Sequence, residues 1–507
     1  MELCHTDQNL YSSVGAQKIN AFIAQRREQF GEEMPDFERF EQELHKLIMA
    51  LESELVGEEL SRYDLSAEEI EVEGKVYHVG CKLPETYLCA AGLVTVKRHL
   101  YHSAQEAGKN LCPLELRVGM IGGYFTPRAA RQGAFVMAHL TSGESEALLI
   151  EMGNMQPSRS SLDRLPKELS PHWEQHRVAW ETKLRQMETI PNTARTMALS
   201  VDGVMAPMRG EKLQEKATKA QQSGKHASGP TGYKEVGCGT VTLYDQEAKR
   251  LQTIRYGRMP EPKKATLQQQ LETEARSTLA LCPTVQRVHL ADGAHHNWFL
   301  LNEIEQQLPL ATQPTIEIVD YYHACDHLKE GCNAAWGESS VASKAQFERL
   351  KTLLKEAEDG AERVIRTLRY QRNKTKGYQH TRLDRELTYF CNQRHRMHYA
   401  DYLSKHLPIA SGVMEASYKT LVTQRFKRSG MAWTIAGGQA ILTLRSLIQS
   451  DRWVAAWQLL QADFRKEVKV IQKLPTLPKF SPGLATPLIY LARRLPFVLF
   501  ANLPLAV

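Results

Sequence analysis

The chain has 507 residues, 42% of them hydrophobic and 24% charged, enough for two to four domains with ordinary apolar cores. Lys and Arg number 64 against 58 Asp and Glu, and a net charge of +6 is too small to speak for a nucleic-acid partner by itself. Nine cysteines without a Cys-x-x-Cys pair, and an opening MELCHTDQNL without an apolar segment, predict a cytoplasmic protein with free thiols and no secretion signal.

In chain order, residues 1–68 read as a helical oligomerisation region. Pro35-Asp36 opens a helix in which Phe37, Phe40, Leu44, Leu47, Leu51 and Leu55 recur at spacings of three and four. That seam suits a homodimer or higher assembly, and equally a helix packed within its own chain, because it holds fewer than three full heptads. Residues 69–167 read as a DNA-binding region. Lys75–Val79 and Gly92–Leu100 are strands. Helices over Thr126–Leu140 and Ser142–Gly153 are followed by another from Pro157, at helix-turn-helix spacing. Ser158, Arg159 and Arg164 would stand near the start of that last helix, where recognition helices meet bases and phosphates. Many helical hairpins share this spacing and never touch DNA. Residues 168–195 read as a polar connecting helix with Trp173 and Trp180.

Residues 196–327 alternate element types. Thr196–Val204, Val236–Tyr244 and Arg250–Tyr256 predict three strands, Ala265–Leu281 a helix, Val285–Ala291 a strand, His295–Leu308 a helix and Thr315–Val319 a strand. Between the first two strands, Met208–Lys234 is a long polar loop. Its Lys212, Lys216, Lys219 and Lys225 either follow a phosphate backbone or keep the loop solvated. Asp202 and Asp292 end two apolar runs, and Glu415 lies in a later helix with basic residues behind it. Three carboxylates of this kind suit hard cations such as Mg²⁺, and a pair of ions can clamp both oxygens of a phosphodiester displacement. Strand-strand-strand-helix-strand-helix-strand-helix, with acids after the first and fourth strands and on the last helix, is the ribonuclease H order. In DYYHACDHL, His323 and His327 share a helical face, but a zinc site would want two further ligands, and Asp320 suits a helix cap.

Residues 328–407 read as a helical insertion before Glu415. Residues 361–400 hold ten Lys/Arg and three Asp/Glu. Arg363, Arg366, Arg369 and Arg372 follow at a spacing of three, a basic stripe suited to DNA backbone contact if it is not simply solvated. Residues 408–470 carry Glu415, then Lys419, Arg425, Lys427 and Arg428, which could meet DNA phosphates, and Trp453 and Trp457 on one packing face. The stretch 471–507 is apolar but broken by Pro487, Arg493, Arg494, Pro496 and Pro504, too interrupted to span a membrane.

Several of these segments carry a family resemblance. Ser200-Val-Asp202-Gly-Val, Ala291-Asp292-Gly-Ala and Asp320-Tyr-Tyr-His323 are short. Ser411-Gly-Val-Met-Glu415, Gln424-Arg-Phe-Lys-Arg-Ser-Gly-Met-Ala-Trp433, Gly438-Gln-Ala-Ile-Leu and Leu444-Arg445 form a longer block. Over roughly residues 80–460 the chain resembles the ISKra-type insertion-sequence transposases, bacterial relatives of the Mutator-like Asp-Asp-Glu enzymes. The resemblance implies an α/β catalytic core, ribonuclease H-like with a helical insertion before the catalytic Glu, beside mainly helical N-terminal DNA-binding and dimerisation regions. It implies two Mg²⁺ ions, with Mn²⁺ expected to substitute, on Asp202, Asp292 and Glu415, and a place for His323 beside them. Its substrates would be transposon terminal inverted repeats and a target duplex in the bacterial nucleoid. Relatives often carry a zinc ribbon near residues 80–115. Here Cys81 and Cys89 precede the strand at the wrong spacing, and His99, His102 and Cys112 follow it, so a metal-free version is expected. Two alternatives remain open, a ribonuclease H-fold nuclease or resolvase without strand transfer, and a non-catalytic DNA-binding regulator.

Overall fold

The computed structural model describes residues 8–29, 36–103, 110–153, 155–210, 222, 232–410 and 412–471. The four loop lysines Lys212, Lys216, Lys219 and Lys225 and the tail beyond 471 lie outside them. The architecture is mixed α/β with two five-stranded sheets.

The first sheet is antiparallel throughout. It orders β1 (Glu69–Val72), β2 (Lys75–Cys89), β3 (Gly92–His102) and β4 (Asn110–Leu111) in sequence, with β10 (Lys469–Val470) added beside β1. α1 (Gln8–Gln29) and α2 (Phe37–Arg62) precede it, and the Asp36 side chain caps α2 through the Glu38 amide. α2 packs on β3 through Met49, Val56 and Leu60, while Phe37 and Leu55 remain exposed. The residues that pack on the sheet thus lie outside the expected seam, and Phe40 of the seam stacks on Phe22 of α1 with ring centroids 5.9 Å apart.

After α3 (Pro113–Val118), α4 (Pro127–His139) and α5 (Ser142–Glu151) comes α6 (Arg159–Met187). The Thr141–Glu144 capping box starts α5, and Gly153 at φ +66° follows its end. The expected division at 167/168 is absent. α6 runs unbroken through Pro166 and Pro171. Each proline removes a backbone donor, and burial of Leu162, Leu165, Leu169 and Trp173 on one face offsets that loss.

The second sheet has the order β7-β6-β5-β8-β9. β5 (Thr196–Met208), β6 (Gly232–Tyr244) and β7 (Arg250–Arg258) form an antiparallel meander, and β8 (Gln286–Ala291) and β9 (Ile316–Val319) join parallel to β5. α7 (Ala265–Leu281) and α8 (His295–Gln307) make the crossovers. β5 was expected to stop near Val204. It continues to Met208 because β6 pairs with its whole length, whereas pairing with β8 ends at Val201.

α9 (Tyr321–Trp336), α10 (Val341–Glu356), α11 (Gly360–Lys374), α12 (Gly377–Gln393) and α13 (Tyr399–Ser404) form a helical module on the β9 side. Leu350, Leu354, Leu368 and Phe390 belong to the same buried cluster as Leu199 and Leu290, so module and sheet share one core. α14 (Gly412–Tyr418) runs through a π turn, Lys419–Thr423, into Gln424–Phe426. α15 (Ile435–Gln449) and α16 (Trp453–Phe464) are the last described helices, with β10 after them. Residues 453–470 do not stay with the second sheet, contrary to the boundary expected at 470. Trp453, Trp457 and Leu460 pack with Ala130, Leu165 and Trp173, and β10 pairs with β1.

Candidate active site

The parallel pairing of β5, β8 and β9 stops at one level. Val201 pairs with Ala291, and Ala291 with Val319, so Asp202, inside β5, stands beside Asp292 and Asp320, the residues just past β8 and β9. Neighbouring strands lie about 4.8 Å apart, which forces these carboxylates together. They line a cleft of about 150 Å³ with His323, Asp326 and Glu415.

Each acid is held differently. Asp202 Oδ1 accepts from the Gly203 amide at 2.7 Å. Burial pushes the Asp202 carboxyl above its usual range, the charge of Asp292 adds to this, and the Gly203 amide, His323 and Lys264 oppose it. Asp292 Oδ1 accepts from the Ala294 amide at 3.1 Å and from Asn297 Nδ2 at 2.9 Å. Asp320 is the buried N-cap of α9, accepting from the His323 amide at 2.8 Å. His323 meets His327 edge to face, with ring centroids 5.1 Å apart, and His327 Nδ1 lies 2.6 Å from Glu386 Oε2. The two histidines thus serve different neighbours. His295 and His296 are exposed on α8.

Glu415 stands on the first turn of α14, exposed, and its carboxylate accepts from Lys419 one turn on. The turn containing Lys419 is π-type, and the carbonyls of Thr420 and Leu421 receive the buried Arg445 guanidinium, which also reaches Ala138. Arg445 thereby ties the Glu415 helix to α4. Burial pushes Arg445 down to about 10.

Lys264 was not singled out in the sequence. Its Nζ lies 2.8 Å from Glu235 Oε1 and 3.3 Å from Asn297 Oδ1, and Asn297 in turn serves Asp292. Lys263 and Lys264 both have φ of +53°, a left-handed pair of non-glycine residues just before α7. Asn297 likewise carries no signal in the sequence, since an amide has no distinctive spacing.

The residues expected on DNA are scattered. Ser158 caps α6, Arg159 Nε bonds Glu146 at 2.6 Å, and Arg164 reaches Ser161 Oγ at 3.4 Å. On α11, Arg363 pairs with Asp359 and Arg372 with Asp384, while Arg366 and Arg369 are exposed. The stripe therefore has more acidic partners than its local composition predicts. Lys427 is exposed and Arg428 pairs with Glu144. Arg425 is a correction. It is buried, and its guanidinium faces the Met137 carbonyl and lies 5.0 Å from the Trp433 ring centroid rather than at the surface. At residues 80–115, His99 bonds Asp64, Cys89 and Cys112 are buried, and Cys81 is exposed.

Among the described residues no three His, Cys, Asp or Glu side chains form a ready metal-ligand group, and no helix is long and apolar enough to cross a membrane. No family model matches the chain, and no curated protein does. Among solved structures, a Drosophila P element transposase strand transfer complex aligns with 66% of this chain and 83% of its own, at 11% identity and a TM-score of 0.23. A likeness of that extent establishes neither a shared fold nor a shared activity.

Proposed function

We propose that this chain is an Asp-Asp-Glu transposase of the ISKra type, which cuts DNA at transposon ends and joins the 3′ ends to a target duplex. The observation that carries this reading is the convergence of Asp202, Asp292 and Glu415 on one cleft at a parallel strand edge. The strand order third-second-first-fourth-fifth, with the first three antiparallel, agrees with a ribonuclease H-like core, and α9–α13 then stand as its insertion.

The donor chemistry fits a hard divalent cation. Asp202 and Asp292 offer oxygen ligands, and the raised Asp202 carboxyl beside a second carboxylate is a charge pair that a cation would relieve. Glu415 is the third donor, and it must exchange Lys419 for the cation. Bound Mg²⁺ would supply charge neutralisation at the phosphoryl oxygens. The chain's own residues do the remainder. The 292–297 turn fixes the direction of Asp292, Lys264 balances charge behind it through Asn297, and His323 stands at the cleft wall. Lys419, once released, is positioned for a flanking phosphate.

The test supplies the protein with Mg²⁺, a duplex carrying the terminal repeats that flank its gene, and a supercoiled target. Joined target products support the transposase reading. Cleaved ends without joined products identify a hydrolytic nuclease, and tight end binding without either product identifies a regulator.

A further inference from the structure

The Asp292 turn is backed by a ring from the helical module. Tyr389, on α12, lies so close to Gly293 that a Cβ at 293 would stand 2.3 Å from Tyr389 Cε2. The ring is stacked on His327, with centroids 3.6 Å apart and planes at 16°. His327 is fixed by the buried Glu386, and about one turn beyond Tyr389, Gln393 Nε2 donates to the Gly293 carbonyl at 3.0 Å. The Tyr389 hydroxyl is buried without a hydrogen-bond partner. Burial and the charges of Asp292, Asp320 and Glu386 keep it protonated.

The direction of the Asp292 carboxylate depends on this backing. Its Oδ1 accepts from Ala294 and Asn297, so the carboxylate turns with the backbone between them. With no side chain at 293, the tyrosine ring touches that backbone directly, and a ring displaced by an ångström carries the carboxylate with it. We propose that Tyr389 is a positioning residue for Asp292, through its ring rather than its hydroxyl, and that His327, Glu386 and Gln393 hold it there. The helical module would thereby set the geometry of a carboxylate on the sheet. The inference rests on the reading of Asp292 as a metal ligand.

The test uses full-length protein and two readouts that need no turnover, amide exchange across residues 292–297 without metal and Mn²⁺ binding by calorimetry. Tyr389→Phe is expected to match wild type in both. Tyr389→Ala should speed exchange in that turn and weaken Mn²⁺ binding about tenfold, the lower end of what losing a ligand's support costs. Gly293→Ala should also weaken binding, and the double variant should be no weaker than Tyr389→Ala alone, because the added methyl then has room. Should Tyr389→Ala not fold, Tyr389→Leu and Gly293→Ala carry the comparison. Unchanged exchange and unchanged Mn²⁺ affinity in the truncated variant would overturn the inference, as would independent, multiplying losses in the double variant. Wild-type protein that binds no Mn²⁺ would instead overturn the metal reading, while the exchange result would still report whether Tyr389 holds the turn.

Discussion

Arg425 belongs to a basic run, Arg425-Phe-Lys-Arg428, yet the run divides between core and surface. Lys427 is exposed, whereas burial pushes the Arg425 guanidinium down to about 10 and places it against the Met137 carbonyl and Trp433. The helix ends at Phe426, so Lys427 and Arg428 leave on a different path from Arg425, and a run alone could not say which cation meets solvent. Arg425→Met should therefore raise Tm, because folding buries a charge that Met does not carry, and leave the salt dependence of DNA binding unchanged. A flatter salt slope with an unchanged Tm would return Arg425 to the DNA surface.

At the scale of elements, α6 is fastened to α7 by a buried polar network. Arg185 and Arg452 both bond Glu274, and Gln270 Nε2 donates to Glu181 at 2.6 Å. Glu274 is held down to about 2, its burial outweighed by the two arginines. Its contribution to stability is complete above the ordinary carboxylate range and is lost as pH falls toward 2. Glu181 behaves oppositely. Burial pushes it up to about 7, and its second oxygen accepts no hydrogen bond, with Arg177 at 3.8 Å. Folding then favours its protonated form, so stability falls as pH rises from about 4.5 through 7, by about 3 kcal/mol in all. Glu181→Gln should raise Tm at pH 8 relative to wild type and leave the two nearly equal at pH 5. Parallel Tm profiles would contradict the assignment.

The arginines of α11 also belong to this scale. Arg363 and Arg372 have carboxylate partners, leaving Arg366 and Arg369 as the freer cations. Changing all four to Gln should flatten the log–log salt slope of duplex binding by nearer two contacts than four, each worth about 0.9. An unchanged slope would end the DNA-tracking role of this helix. For α6, Arg159→Ala and Arg164→Ala should weaken binding to the element's ends more than to random duplex, by about 1–3 kcal/mol of discrimination for a good base contact. An equal loss on both DNAs would assign these residues to the backbone.

Over the whole molecule, local pattern was the legible part. The strand runs between 196 and 319 and the helix Ala265–Leu281 could be read within a few residues, because alternation and turn residues are local signals. Non-local pairing was not legible. Nothing near Lys469 announces that it joins β1, and the boundary expected after residue 167 falls inside α6, which runs on past two prolines. Residue type singles out the acids at 202, 292 and 415 in the sequence, and the fold lines one cleft with them. Lys264, Asn297 and Tyr389 could not, because their roles depend on contacts across modules rather than on spacing.

The central claim is that three carboxylates on one cleft do the chemistry. The most direct measurement compares Mg²⁺-dependent cleavage and DNA affinity for wild type, Asp202→Asn, Asp292→Asn and Glu415→Gln on a terminal-repeat duplex. The amides keep shape and lose the charge a cation needs. The account predicts that each variant binds DNA with near-wild-type affinity and yields no detectable cleavage. Near-wild-type cleavage by any one of them would contradict it.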